Sequence, residues 1–191
     1  ETPMQKHQRY FPVVDAAGNL LPHFVAVSNM RAKDMGLILQ GNERVLRARL
    51  NDAEFFFRED RKRPLADRLP ELRQIIFQEK LGSVADKVQR LQRLAGWIAA
   101  QVDPAARPSA ERAALLCKAD LPTTMVKEFP NLQGIMGREY ARLSGEASEV
   151  CQAIEEHYLP RFAGDRLPAS SVGAAVALAD RLDSIVGCFG I

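Results

Sequence analysis

Val84, Val88, Leu91, Ala95 and Ile98 follow one another at steps of four, three, four and three, the spacing that puts every apolar side chain on one side of an α-helix. A second stripe, Val172, Val176, Ala179, Leu182 and Val186, repeats the pattern near the other end. Neither stripe can stay in water, so a chain carrying both must pack helix on helix. Gly82-Ser83 marks the entry to the first helix, and the second runs from about Ser170 to Gly187.

The segments between and before them read in the same way. Apolar residues recur at helical spacing from Gly41 through Val45, Leu46, Leu50 and Phe55-Phe56-Phe57, predicting a helix to about Lys62, with the three phenylalanines as core. Leu65, Leu69, Leu72, Ile75 and Ile76 give a short helical stretch behind Pro64, in which Pro70 is tolerated only near a helix start. Asp103 to Pro108 reads as a loop, and Ser109 as the cap of the next helix, whose apolar positions are Leu115, Leu116, Ala119, Val126 and Phe129. Pro122 would orphan the Lys118 carbonyl, so that helix must kink or break there. Gly134 and Gly137 frame a turn, Tyr140 to Ile154 carry one or two more helices, and residues 160–168 form a loop. Only the start differs. Tyr10-Phe11-Pro12-Val13-Val14 and Phe24-Val25-Ala26-Val27-Ser28 flank Asp15-Ala16-Ala17-Gly18-Asn19, which predicts a β-hairpin. The fold expected is mainly α, with a hairpin segment over 1–40 and a helical domain over 41–191.

Composition narrows the function classes. At 191 residues and 47% hydrophobic content the chain can bury one good core. Its 26 basic and 24 acidic side chains leave a net charge of only +2, so contact with nucleic acid would need a local patch. Cys117, Cys151 and Cys188 are widely spaced and contain no CxxC, which argues against a disulfide framework or a zinc site and fits a reducing cytosol. Charge interrupts every apolar run well short of the roughly 20 residues of a membrane span. No GxSxG, GxxxxGK or GxGxxG occurs, and Gly134-Ile135-Met136-Gly137 suits helix packing better than phosphate binding. The chain opens at Glu1 and closes on Phe189-Gly190-Ile191, and both ends are expected to be cut from a longer polypeptide.

Two constellations could carry function. Asp183 falls within the last apolar stripe, at about 20° from Val172 on a wheel of 100° per residue, and Asp180 sits at its edge. A carboxylate so placed needs a cation, a metal or several donors, and a structural ion pair competes with a ligand-binding role. The second is basic. Arg44, Arg47, Arg49, Arg58, Arg61, Lys62 and Arg63 outnumber Asp52, Glu54, Glu59 and Asp60 by three. They would either complement a helix C-terminus or contact RNA phosphates, and Arg44, Arg47, Arg58, Arg61, Lys62 and Arg63 are the RNA candidates.

Leu115-Leu116-Cys117-Lys118-Ala119-Asp120 has the apolar-apolar-polar form in which HD-type phosphohydrolases place the His-Asp pair that holds catalytic metal. No histidine stands there, and Asp86-Lys87 occupies the place of an earlier one. Lys87, Lys118, Asp120, Asp180 and Asp183 would then be the degenerate remains of such a site, with no metal bound, because an ammonium repels a divalent ion. His157 is expected as a surface or capping residue at a helix end.

Longer runs resemble the beta subunit of the tetrameric bacterial glycyl-tRNA synthetases. They are Asp52 to Lys62, Phe77 to Gly82, Lys118 to Leu121, Glu128 to Gly137, Arg161 to Asp165, Ala177 to Asp183 and Gly187 to Ile191, in order over almost the whole chain. The resemblance implies an HD-like helical region of that subunit, whose partners would be the alpha subunit, the other beta-subunit domains and tRNA(Gly). It also implies that ATP, Mg and glycine are used by the whole enzyme, with no catalytic residue here. A metal-dependent HD-type phosphohydrolase with altered ligands is the competing expectation.

Overall fold

The computed structural model describes residues 10–29 and 33–191. It is mainly α with a small antiparallel hairpin, and divides into two compact units, residues 1–59 and 60–191. The boundary expected at 40/41 lies inside the first unit.

In the first unit, β1 (Phe11–Val14) pairs with β2 (Leu20–Val25) in the register Phe11 to Val25 and Val14 to Leu20. The second strand therefore lies four residues earlier than expected. The tightness comes from Asp15, whose Oδ1 accepts from Ala17 N–H at 2.9 Å and Asn19 N–H at 2.8 Å, and from Gly18 at φ 84°. Helix α1 spans Met35–Asp60, six residues ahead of its expected start, because Asp34 Oδ1 caps the Gly36 and Leu37 N–H groups. Phe55 is 59% exposed, against the expectation of core.

The second unit carries the core. Residues Leu65–Gln74 form a 3₁₀ helix, and Ile76–Gln78 (β3) pairs with Gly82–Ser83 (β4) in a bridge that apolar spacing did not predict. Ser83 then caps α2 (Val84–Val102), accepting from Asp86 N–H while the Asp86 carboxylate accepts from Ser83 N–H. Helix α3 (Arg107–Leu116) starts two residues before Ser109, with Pro108 in its first turn. It ends at Leu116, ahead of the break expected at Pro122, which lies in the turn leading to α4 (Thr124–Glu128). Helices α5 (Ile135–Leu143), α6 (Ser148–Glu156) and α7 (Ser171–Phe189) complete the unit. Helix α2 packs on α3 and α7, and α6 on α3, α5 and α7. Leu72, Leu91, Ala95, Leu116, Ile154 and Val176 are fully buried among them.

Two buried carboxylates fasten this frame. Asp60, the last residue of α1, accepts from Thr124 N–H at 3.0 Å, Met125 N–H at 2.8 Å, Tyr140 Oη at 3.2 Å and Arg68 at 3.4 Å. Glu156 accepts from Ser170 Oγ at 2.9 Å and from the Ala169 and Ser170 N–H groups, fixing the entry to α7.

Candidate functional site: a lysine pair bridged by one carboxylate

Val84, Val88 and Leu91 turn inward, and Lys87, one turn from each end of that run, must turn inward with them. Its ammonium is buried with its stem. Asp180 and Asp183 project toward it from α7. Lys87 Nζ lies 2.9 Å from Asp180 Oδ1, 3.1 Å from Asp183 Oδ2 and 2.8 Å from Ser184 Oγ. Lys118, in the turn after α3, reaches the other oxygen, Asp180 Oδ2, at 2.8 Å. One carboxylate thus bridges two ammonium groups. Arg90 closes the cluster with two bonds to Asp183, at 2.6 and 3.2 Å. Each lysine also faces a ring: Nζ of Lys87 is 4.3 Å from the Phe77 centroid and Nζ of Lys118 is 4.1 Å from that of Tyr158.

His157 belongs to this cluster, which corrects its reading as a surface or capping residue. It is fully buried at the end of α6, with Nε2 2.8 Å from Lys118 Nζ and Nδ1 2.6 Å from the Ile154 carbonyl. A carbonyl can only accept, so Nδ1 carries the proton and the Nε2 lone pair receives the ammonium. Burial, then the neighbouring Lys118, hold its pKa well below the usual histidine value, so the ring is neutral. The signal was present in the sequence: His157 is seven residues after Val150 and three after Ile154, on the buried face of α6.

Burial alone would raise the Asp180 pKa, but Lys118 and Lys87 hold it well below the ordinary carboxylate range. Asp183 is lowered likewise, hydrogen bonds from Arg90 and Lys87 outweighing burial. Burial pushes the Cys117 thiol up to about 12, which leaves it an inert core residue.

Asp120 does not join the group. Its Oδ2 accepts from Gly134 N–H at 2.6 Å and Gly137 N–H at 3.0 Å, while Oδ1 is buried without a partner. Gly134 and Gly137 therefore serve as hydrogen-bond donors as well as packing residues. A Cβ on Gly134, at φ 80°, would lie 2.6 Å from Tyr158 Cδ2, and one on Gly137 2.8 Å from Ile154 Cγ2.

The residues at this centre do not fit a divalent ion. The Lys87 ammonium stands between the Asp180 and Asp183 carboxylates and the Lys118 ammonium takes the other Asp180 oxygen, and among the described residues no three His, Cys, Asp or Glu side chains converge as ligands. Of the basic candidates, Arg44, Arg47 and Arg58 share one face of α1, within about 60° of arc, and are exposed. Arg58 pairs with Glu54 at 2.5 Å and Arg63 with Glu71 at 2.7 Å. Arg61 and Lys62 follow α1 on the surface. No helix among the described residues is long and apolar enough to cross a membrane.

Fold and centre together define a helical module built around a cluster in which three side-chain cations share two carboxylates. The model of the glycyl-tRNA synthetase beta-subunit family matches residues 1–191, and the chain belongs to that family. Curated relatives named glycine–tRNA ligase beta subunit include those of Moorella thermoacetica, 58% identical over 99% of the chain, and Photobacterium profundum, 56% over 98%. The Neisseria meningitidis relative is 55% identical over 98%. The chain spans only 27–28% of the length of these proteins.

Proposed function

We propose that the chain is a noncatalytic module of a cytoplasmic glycyl-tRNA synthetase beta subunit that contacts tRNA(Gly), supporting the ATP-dependent attachment of glycine by the assembled alpha/beta enzyme. Its partners are then tRNA(Gly), the alpha subunit and the other beta-subunit domains, and ATP and Mg are used elsewhere in the enzyme. The observation that carries the noncatalytic reading is the Asp180 carboxylate bridging Lys87 and Lys118, which fills with side-chain cations the place where hydrolytic chemistry would need a metal and an activated water. The tRNA contact is supported by the exposed arginines of α1. Arg44 and Arg47 have the geometry to meet successive phosphates from one helix face.

The test uses the complete alpha/beta enzyme with Arg44 and Arg47 replaced by alanine. Glycyl-adenylate formation should be unchanged, KM for tRNA(Gly) should rise roughly 3- to 10-fold, and the salt slope of tRNA binding should fall by about 1.5. An unaltered KM and slope would leave scaffolding as the role. Stoichiometric Mn, Fe or Zn together with phosphodiesterase activity would overturn the noncatalytic reading altogether.

A further inference from the structure

Helix α7 has a second apolar face besides the one it buries. Leu178, Leu182, Ile185, Val186 and Phe189 recur at steps of four, three, one and three, inside an arc of about 100°. They are 43–89% exposed, Phe189 most of all. Five large apolar side chains in one stripe exceed the scattered exposure normal for a soluble surface. The stripe continues at Leu178 into an apolar cavity of about 260 Å³, which Leu159, Leu167 and Pro168 also line. That volume accommodates one large side chain of an incoming segment. The only charged group on the cavity wall is Arg181. It is already committed to backbone carbonyls, donating to those of His157 and Ala177 through one nitrogen and those of Tyr158 and Pro160 through the other. The cavity wall therefore offers a phosphate backbone no free donor, and nucleic acid does not suit it.

We infer that this face docks an apolar segment of the beta-subunit polypeptide from outside the section matched here, with one large aliphatic or aromatic side chain seated in the cavity. The source follows from length. The relatives devote 27–28% of their chain to this section, so over two thirds of such a polypeptide is tethered to it, at an effective concentration no separate molecule matches. The inference rests on membership of the family and not on the tRNA reading.

The experiment measures alkylation of a cysteine placed at Ile185 in a full-length beta subunit carrying this sequence, with Cys188 changed to serine. Cys117 and Cys151 are buried and give little background. Arg93→Cys, on the exposed surface of α2, is the reference for an open site. The I185C thiol should react at least tenfold more slowly than R93C in the isolated subunit, at every protein concentration. Equal rates would overturn the proposal. Protection that needs the alpha subunit, or that grows with beta-subunit concentration, would assign the face to another subunit or a second copy and overturn it equally. The readout is independent of tRNA affinity, so its failure is distinct from failure of the proposed function.

Discussion

Asp120 is fully buried with one oxygen bonded to the Gly134 and Gly137 N–H groups and the other unpartnered. Burial pushes its pKa up to about 6 in spite of those bonds. Because the folded value lies above the ordinary 3.8, the folded state holds the proton more tightly, and stability is lost as pH rises from 4 through 6. The two values imply a loss on the order of 3 kcal/mol. Asp120→Asn preserves the shape and the acceptor while removing the titration. Urea midpoints from pH 4 to 8 should show the wild type losing stability relative to D120N across that window; parallel curves would refute the assignment. His157 titrates in the opposite sense, since its lowered pKa makes the unfolded state the better proton binder below pH 6.5, and the comparison of two proteins that share it cancels its effect. At this scale the sequence was informative where periodicity applied. Asp183 was placed on a buried face by its spacing, and the same arithmetic would have placed His157. The roles of Asp120 and Asp60 were not legible, because both accept from backbone N–H groups 14 or more residues away, and no local spacing encodes those.

The element scale is governed by how α7 is held. Asp180 and Asp183 bring α7 onto α2 through Lys87 and Arg90, and Asp180 adds the turn after α3 through Lys118. Removing one partner of a buried ion pair leaves the other charge uncompensated. Asp180→Asn should therefore destabilise the fold by about 3–5 kcal/mol, and Lys87→Met in the D180N background should cost less than it does alone, which a double-mutant cycle of urea midpoints would measure. Additive effects would show that the cluster is not coupled. Element boundaries were legible where a side chain signals them: Ser83 and Ser170 stand as caps, and Pro122 lies in the turn that separates α3 from α4. The early start of α1 and the β3–β4 bridge were not, since Asp34 stands ahead of the apolar periodicity and the bridge is set by pairing rather than by composition.

At the scale of the whole molecule the two units differ in how much they bury. Among the described residues of 1–59, Leu46 alone is a buried hydrophobic, whereas 60–191 holds a continuous core. Local opening is easiest where few apolar contacts oppose it. Native-state hydrogen exchange should show amides of β1, β2 and the first half of α1 opening well below the free energy that protects α2, α3 and α6; uniform protection would contradict this. Helical content, the inward stripe of α2 and the presence of a hairpin were determined by the sequence alone, because period and turn chemistry act over a few residues; the α7 stripe turns inward only at Val172, Val176 and Ala179, while Leu182 and Val186, expected on the same buried side, are exposed. Tertiary structure decided which charges meet. Lys87, Lys118, His157 and Asp180 come from four separated segments, and whether a buried lysine finds a carboxylate depends on how helices cross, which no stretch of the chain specifies by itself.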